Sequence, residues 1–324
     1  MVMIKTIVAV FFLFHFRFGV RGCSLSYHFY EKSCPQVEDI VKNGLQAIFL
    51  IDPTSPAALL RLMFHDCQVQ GCDASILVDP GEGSVPTEMA STKNFGIRKR
   101  KLISIVKSMV EAQCPQQVSC ADILILAARE AVALTGGPRI NIPLGRRDSP
   151  QTPSYELADA LLPPATAGVA DMLNIFAKKG MTPAESVAIL GAHTLGITHC
   201  SNIQNRLYSP NNGELRVMEP DFAAFLRLTC PRGPLTSNLS FVLNDPTSFA
   251  FDNEYYVNAM RGRGVLKIDA EMALDPQTAH FMQHFSVNQD DFFQAFSSAF
   301  VKLSCSGVLT GKQGVIRKNC NAIN

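Results

Sequence analysis

The chain has 324 residues, 47% of them hydrophobic, enough for a large core in one big domain or two lobes. Its 29 Lys and Arg nearly balance 28 Asp and Glu, which excludes the basic footprint of a nucleic-acid binder. No apolar run after the first twenty residues is long enough to span a bilayer, so no membrane partner is expected.

The chain opens on a targeting segment. Lys5 forms a short basic region, Ile7 to Phe14 is apolar, and Val20-Arg21-Gly22 puts small or apolar residues at −3 and −1 for cleavage. Residues 1–22 are read as a signal peptide and 23–324 as the mature, secreted domain, the boundary set to within a residue or two. Removing the segment's three bases leaves 26 bases against 28 acids, a net charge of −2. Ten cysteines in an oxidising compartment read first as disulfides, with spacing alone leaving the pairing open. Asn238-Leu239-Ser240 is a glycosylation sequon.

Helical periodicity dominates. Val37, Ile40, Val41, Leu45, Ile48 and Phe49 mark one amphipathic helix. Others are expected over about 56–67, over 121–134 with a stop at Gly136-Gly137-Pro138, and over 169–179 with Gly180 closing it. Thr182-Pro183-Ala184-Glu185 predicts a cap, a first-turn proline and a capping box opening a helix that ends near His193. Later helices are expected at about 253–262, 276–285 and 290–303. Strand signals are few and short, so the fold reads as mainly α.

Chemistry concentrates in two places. In Arg61-Leu62-Met63-Phe64-His65-Asp66-Cys67, Arg61 and His65 stand at i and i+4 and share a helix face. A neutral imidazole can take a proton there while the guanidinium stabilises developing negative charge and holds the ring's pKa down. Asp66 points about 100° away from His65 and is a poor orienter for it. With Asp73, Ser75 and the carbonyls of a Gly turn, Asp66 supplies hard oxygen donors that suit Ca²⁺. The same letters also fit a helix end with a surface Arg–Asp pair and a packed histidine. The second place is Leu190-Gly191-Ala192-His193-Thr194-Leu195-Gly196. Small residues leave room for something flat and bulky beside His193, as an axial haem ligand requires. A satisfied histidine at a helix end is the plainer alternative. His199 is expected to pack beside Cys200, and His280 with His284 lacks the further ligands a metal needs. No G-x-S-x-G elbow supports a hydrolase.

The two stretches resemble the distal and proximal signatures of the plant secretory (class III) haem peroxidases. Similar segments follow in the same order: YEKSCP (30–35), CPQQVSCAD (114–122), PLGRRDS (143–149), FDNEYY (251–256) and IRKNC (316–320). The likeness covers essentially the whole mature chain. It implies two helical lobes enclosing one haem b, and reduction of hydrogen peroxide to water with one-electron oxidation of small phenolic donors. It also implies a monomer in the extracellular space or cell wall. The few residues after Cys320 fit export to the wall.

Position by position, the resemblance makes His65 the acid–base residue and Arg61 its cationic transition-state stabiliser. Asn94 matches the asparagine that fixes the His65 tautomer, and Phe64 walls the pocket. His193 matches the iron ligand and Asp269 the acceptor of its second N–H. Pro163 matches the donor-channel proline. A first Ca²⁺ would take Asp66, Asp73, Ser75 and the carbonyls of Val69 and Gly71, with Glu88 supporting it through water. A second would take Thr194, Thr247, Asp252, the Ala250 carbonyl, and Asn244 or its neighbour Asp245. The implied disulfides are Cys34–Cys114, Cys67–Cys72, Cys120–Cys320 and Cys200–Cys230, which leaves Cys23 and Cys305 over.

The chain also departs from the family. Gln68 stands where Phe is usual, and Asn244 where an aspartate is. Trp is absent altogether, and Phe95 to Arg100 is unusually basic. Gln68, Asn244 and Cys305 motivate the alternative of a wall-associated binding or structural protein with a vestigial haem pocket.

Overall fold

The computed structural model describes residues 25–81, 86–151, 154–208, 218–233 and 240–323. The signal peptide, Cys23 and the Asn238 sequon lie outside the described residues. Thirteen α-helices occur among those described: α1 Val37–Ile51, α2 Ser55–Val69, α3 Arg100–Glu111, α4 Cys120–Leu134, α5 Tyr155–Leu161, α6 Val169–Ala177, α7 Pro183–Leu190, α8 Gln204–Tyr208, α9 Pro220–Thr229, α10 Glu254–Met260, α11 Lys267–Met272, α12 Ala279–Val287 and α13 Gln289–Ser304. The one sheet among them has two antiparallel strands, β1 Ile197–His199 and β2 Phe241–Leu243, with Thr198 opposite Val242. A mainly α fold is what the chain has.

The helices pack in two groups. α1, α2, α3 and α4 lie together, and α7 packs on α6 and α13 while α10 packs on α12. α4 is buried along nearly its whole length, with the apolar run Ile123 through Ala128 fully buried, as in a helix at the centre of a large core. Near its end Arg129 pairs with Glu130 and Glu38, and at its start a buried carboxylate is fully matched. Asp122 accepts from Tyr30 Oη (2.7 Å), the Gly145 amide (2.7 Å) and Arg146 Nη1 (2.8 Å), which ties the 143–149 segment to the core. Four disulfides join Cys34 to Cys114, Cys67 to Cys72, Cys120 to Cys320 and Cys200 to Cys230. Cys305 lies outside these bridges.

The expected helices appear with their ends moved by at most three residues. The Thr182 box is made in full, Glu185 N donating to Thr182 Oγ1 (3.2 Å) and Thr182 N to Glu185 Oε2 (2.7 Å). Five helices had no local signal strong enough to be expected: α3, α5, α8, α9 and α11. α3 follows Lys99, whose left-handed backbone (φ 67°) replaces the usual Ser, Thr, Asp or Asn cap. α11 has only six residues, so no apolar period could develop.

Candidate active site

α2 positions the first half of the site. Twelve of its fifteen residues are buried, and the i, i+4 spacing sets Arg61 beside His65. Arg61 Nε donates to His65 Nε2 at 3.2 Å, and Arg61 Nη2 to the Phe95 carbonyl at 3.0 Å. His65 Nδ1 meets Asn94 Oδ1 at 2.7 Å, and Asn94 Nδ2 donates to the Glu88 carbonyl at 2.7 Å. This chain of bonds fixes the tautomer. A backbone carbonyl only accepts, so the Asn94 amide must turn its NH₂ toward Glu88 and its oxygen toward His65. Nδ1 therefore carries the proton, and the Nε2 lone pair is the one Arg61 touches. Burial and the Arg61 charge push the imidazole from 6.5 down to about 3, with Asn94 opposing. Burial and the Arg98 charge bring Arg61 down to about 10, still cationic at neutral pH. Phe64 stands edge-on to His65, ring centroids 5.7 Å apart.

The second half rests on α7, α10 and α11. After α7 the chain tightens into a 3₁₀ turn, Gly191–Thr194, that presents His193. His193 Nδ1 lies 2.9 Å from Asp269 Oδ1, so it is again the Nε2 lone pair that is left to the cavity. Asp269 is 3% exposed and also accepts from Tyr255 Oη (2.8 Å) and the Leu266 amide (3.2 Å). Three donors make burial of that carboxylate tolerable.

His65 and His193 line one cavity of about 570 Å³, with Arg61, Phe64 and Pro163 also in its wall. Residues of α2 form one side, and α6, the end of α7 and the 3₁₀ turn form another. That volume lies in the range of cofactor and small-molecule sites. Gly96 keeps part of it open: its φ is +80°, and a Cβ there would come within 2.9 Å of His199 Nε2. A predominantly apolar slot with one uncommitted imidazole nitrogen on its wall and a second imidazole across it fits haem.

His199 corrects an expectation. Its ring lines the cavity, 5.5 Å from Phe95, rather than packing on Cys200, because the β1–β2 pairing holds its backbone at the cavity edge. Sequence reasoning also gave Tyr255 and Arg98 no role. Tyr255 sits in the quoted FDNEYY segment, whose buried phenols needed an acceptor. Arg98 belongs to the basic departure after Asn94, donates to Thr54 Oγ1 (2.8 Å) and O (2.9 Å), and lines the cavity. His284 bonds to Asp291 (2.7 Å) instead of pairing with His280.

Two oxygen-rich clusters flank the cavity. In the first, Asp66, Asp73, Ser75 and Glu88 are all buried. Ser75 Oγ and both Glu88 carboxylate oxygens have no hydrogen-bond partner. Burial raises the pKa of Asp66 well above the usual carboxylate range with help from Asp73 and Glu88, raises Asp73, and lifts Glu88 to about 7. Buried acceptors without donors are costly, and a hard cation relieves that cost. The Cys67–Cys72 bridge closes the loop, and Gly71 lets it press against the Gly307 carbonyl, which a Cβ would strike at 2.1 Å. In the second cluster, Thr194 Oγ1 lies 2.8 Å from Asp245 and 3.1 Å from Asp252, and Thr247 Oγ1 lies 3.0 Å from Asp252. Burial and the Asp252 charge raise Asp245 to about 6, with Thr194 opposing. Asn244 is turned away: it accepts from Thr198 Oγ1 (2.7 Å) and donates to the His193 carbonyl (2.9 Å). Of the two neighbours, Asp245 is therefore the one that joins the cluster. No three His, Cys, Asp or Glu side chains among the described residues converge on a metal by themselves, so hydroxyls and carbonyls would complete either shell.

Comparison with known proteins gives one family. The profile described as "Peroxidase" matches residues 37–288. Peroxidase 29 of Arabidopsis thaliana is 57% identical over 303 residues, covering 93% of this chain and 89% of the relative. Peroxidase 28 of the same plant is 41% identical over 320 residues, 98% of both chains. Peroxidase 2 of Oryza sativa subsp. japonica is 39% identical over 308 residues, 94% of both.

Proposed function

The chain belongs to the class III plant peroxidases, a family of haem enzymes that act on hydrogen peroxide, and from that premise we propose that it is a secreted enzyme oxidising small phenolic donors, with His65, Arg61 and Asn94 as its peroxide-cleaving set and His193 as its haem ligand. The observation that carries this is a pair of imidazoles on one cavity, each with Nδ1 held by an acceptor, the His65 Nε2 lone pair facing the Arg61 guanidinium and the His193 Nε2 lone pair left to the cavity.

Haem, when bound, supplies the redox-active iron that accepts two electrons' worth of oxidation from peroxide and passes it to donors one electron at a time. His193 Nε2 would hold it, and Asp269 would strengthen the ligand by drawing on its Nδ1–H. Across the cavity, His65 Nε2 takes a proton from one peroxide oxygen and returns it to the other, which leaves as water. Asn94 keeps the base in the required tautomer throughout. Arg61 donates toward the separating negative charge, and the His65 pKa near 3 keeps the base ready at neutral pH. Phe64 narrows the cavity beside His65, so a donor ring is kept away from the proton path.

Asp66, Asp73 and Ser75, with Glu88 behind them, and Thr194, Asp245, Thr247 and Asp252 are the Ca²⁺ ligands of this reading. The deprived acceptors of the first cluster support it most strongly. No helix among the described residues is long and apolar enough to cross a membrane. The amino-terminal segment, the sequon and the four disulfides support secretion. The reading of a binding protein with a vestigial pocket is not favoured: Gln68, Asn244 and Cys305 leave the Arg61–His65–Asn94 chain intact.

The test is the absorbance spectrum of the purified, haem-loaded protein and its turnover of peroxide with a panel of one-ring phenols. A ferric haem spectrum with donor-dependent peroxide consumption is expected. A haem-loaded protein inert to peroxide would end the reading.

A further inference from the structure

Helix α5 ends in an unusual way. It runs into Leu162-Pro163-Pro164, and a helix end leaves carbonyls that need donors. Prolines 163 and 164 have no N–H, so the carbonyls of Asp159 and Ala160 lose the partners a continuing helix would give them. Side chains from elsewhere take over. Lys93 Nζ donates to the Asp159 carbonyl (2.5 Å) and the Leu162 carbonyl (2.6 Å). Gln68 Nε2 donates to the Leu161 carbonyl (3.1 Å). Ser91 Oγ bonds to the Asp159 carboxylate (2.5 Å).

The location of these donors matters. Gln68 is on α2, three residues after His65, and Lys93 immediately precedes Asn94. The segment they hold, Asp159 to Leu162, leads directly into Pro163, Pro164, Ala165 and Ala167, which line the same cavity as His65 and His193, with Lys93 also in its wall. Gln68 is only 7% exposed, and its Oε1 has no partner. Half of a buried amide left unsatisfied is a cost that an aromatic side chain at this position would not carry. The Leu161 bond is the one thing the amide gains.

We propose that Gln68 and Lys93 are positioning residues that tie the cavity-mouth loop 161–167 to the two elements bearing His65 and Asn94, and thereby set the size of phenolic donor admitted. The proposal rests on the peroxidase reading above and adds to it a determinant of donor choice. Two consecutive prolines make the loop stiff, so it moves as a unit about its tie points. Loosening a tie changes the aperture for a large ring system. Hydrogen peroxide is too small to be affected by such a change.

The experiment compares Gln68→Leu, Gln68→Phe and Lys93→Met with the haem-loaded parent, and uses Lys93→Arg, which keeps donors, as the rescue. Steady-state constants are measured for guaiacol (one ring) and syringaldazine (two rings), alongside the rate of the peroxide step. The KM for syringaldazine is expected to change roughly fivefold, the worth of one net hydrogen bond, while the guaiacol KM and the peroxide step stay within about twofold. Amide hydrogen exchange at Leu161, Leu162 and Ala165 should accelerate in the three variants and return to parental rates in Lys93→Arg. Equal changes for both donors, or none, would overturn the proposal, because a purely stabilising role predicts no size dependence. A parallel fall in the peroxide step would also overturn it, since the side chains would then be acting on His65 and Asn94. A parent inert to peroxide would defeat the peroxidase reading itself, whereas unaltered exchange in the variants would defeat only the tether.

Discussion

His65 and His193 face one cavity, share a tautomer, and differ in what holds the proton-bearing nitrogen. His65 is nearly fully buried and leans on a neutral amide, with a guanidinium at its other nitrogen. His193 is half-buried and leans on a carboxylate that Tyr255 and the Leu266 amide keep in place. A neutral partner orients a base without adding negative charge, so the ring stays weakly basic and exchanges its proton readily. An anionic partner pulls the N–H toward itself and makes the other nitrogen a stronger electron donor. On the proposed reading, one residue type thus serves a proton-transfer task and a ligand task, separated by the charge of a single neighbour.

The largest break in that comparison should come from His193→Ala. Haem retention is expected to collapse, read as loss of haem absorbance relative to protein. His65→Ala should keep its haem and slow the peroxide step about a thousandfold, and Arg61→Leu roughly a hundredfold, both in stopped-flow. A His65→Ala protein with parental peroxide rates would remove the base assignment.

Exchanging the partners sharpens the comparison. Asp269→Asn gives His193 the neutral neighbour of His65. The haem reduction potential should rise, with activity down by about ten- to a hundredfold, the usual range for partners behind a metal ligand. Asn94→Asp gives His65 an anionic neighbour and should raise its pKa by about one to three units. In the parent a base with a pKa of about 3 is competent above that pH and is lost as pH falls through it. The acid limb of the peroxide step should therefore move upward in Asn94→Asp. A limb that does not move would mean that Asn94 does not contact the base. The smallest effect belongs to calcium. Chelation should lower the melting temperature and, modestly, the activity, with recovery on adding Ca²⁺. An unchanged melting curve in metal-free protein would remove the ions from the proposal.

Much of this was readable from the chain. Arg61 and His65 are a helix turn apart, and the Thr182 box lies within four residues, so local periodicity and capping chemistry were enough to place them. Short elements were less legible. α11 carries Asp269 but is too brief for a hydrophobic period, and α3 starts from a left-handed lysine instead of a capping residue. The choice between Asn244 and Asp245 was undecidable locally. It depends on Thr198 and the His193 carbonyl claiming the Asn244 amide.

The sequence by itself determined which groups the protein owns: two imidazoles, a guanidinium, the oxygen donors, the cysteines and the helices that carry most of them. Tertiary structure alone set the distances between groups that lie far apart in the chain. Asn94 reaches His65 across 29 residues, Asp269 reaches His193 across 76, and Gln68 reaches Leu161 across 93. Periodicity and capping report on neighbours within about one helical turn. A hydrogen bond between distant segments needs donor and acceptor set to within a few tenths of an ångström, and only the packing of the intervening helices supplies that.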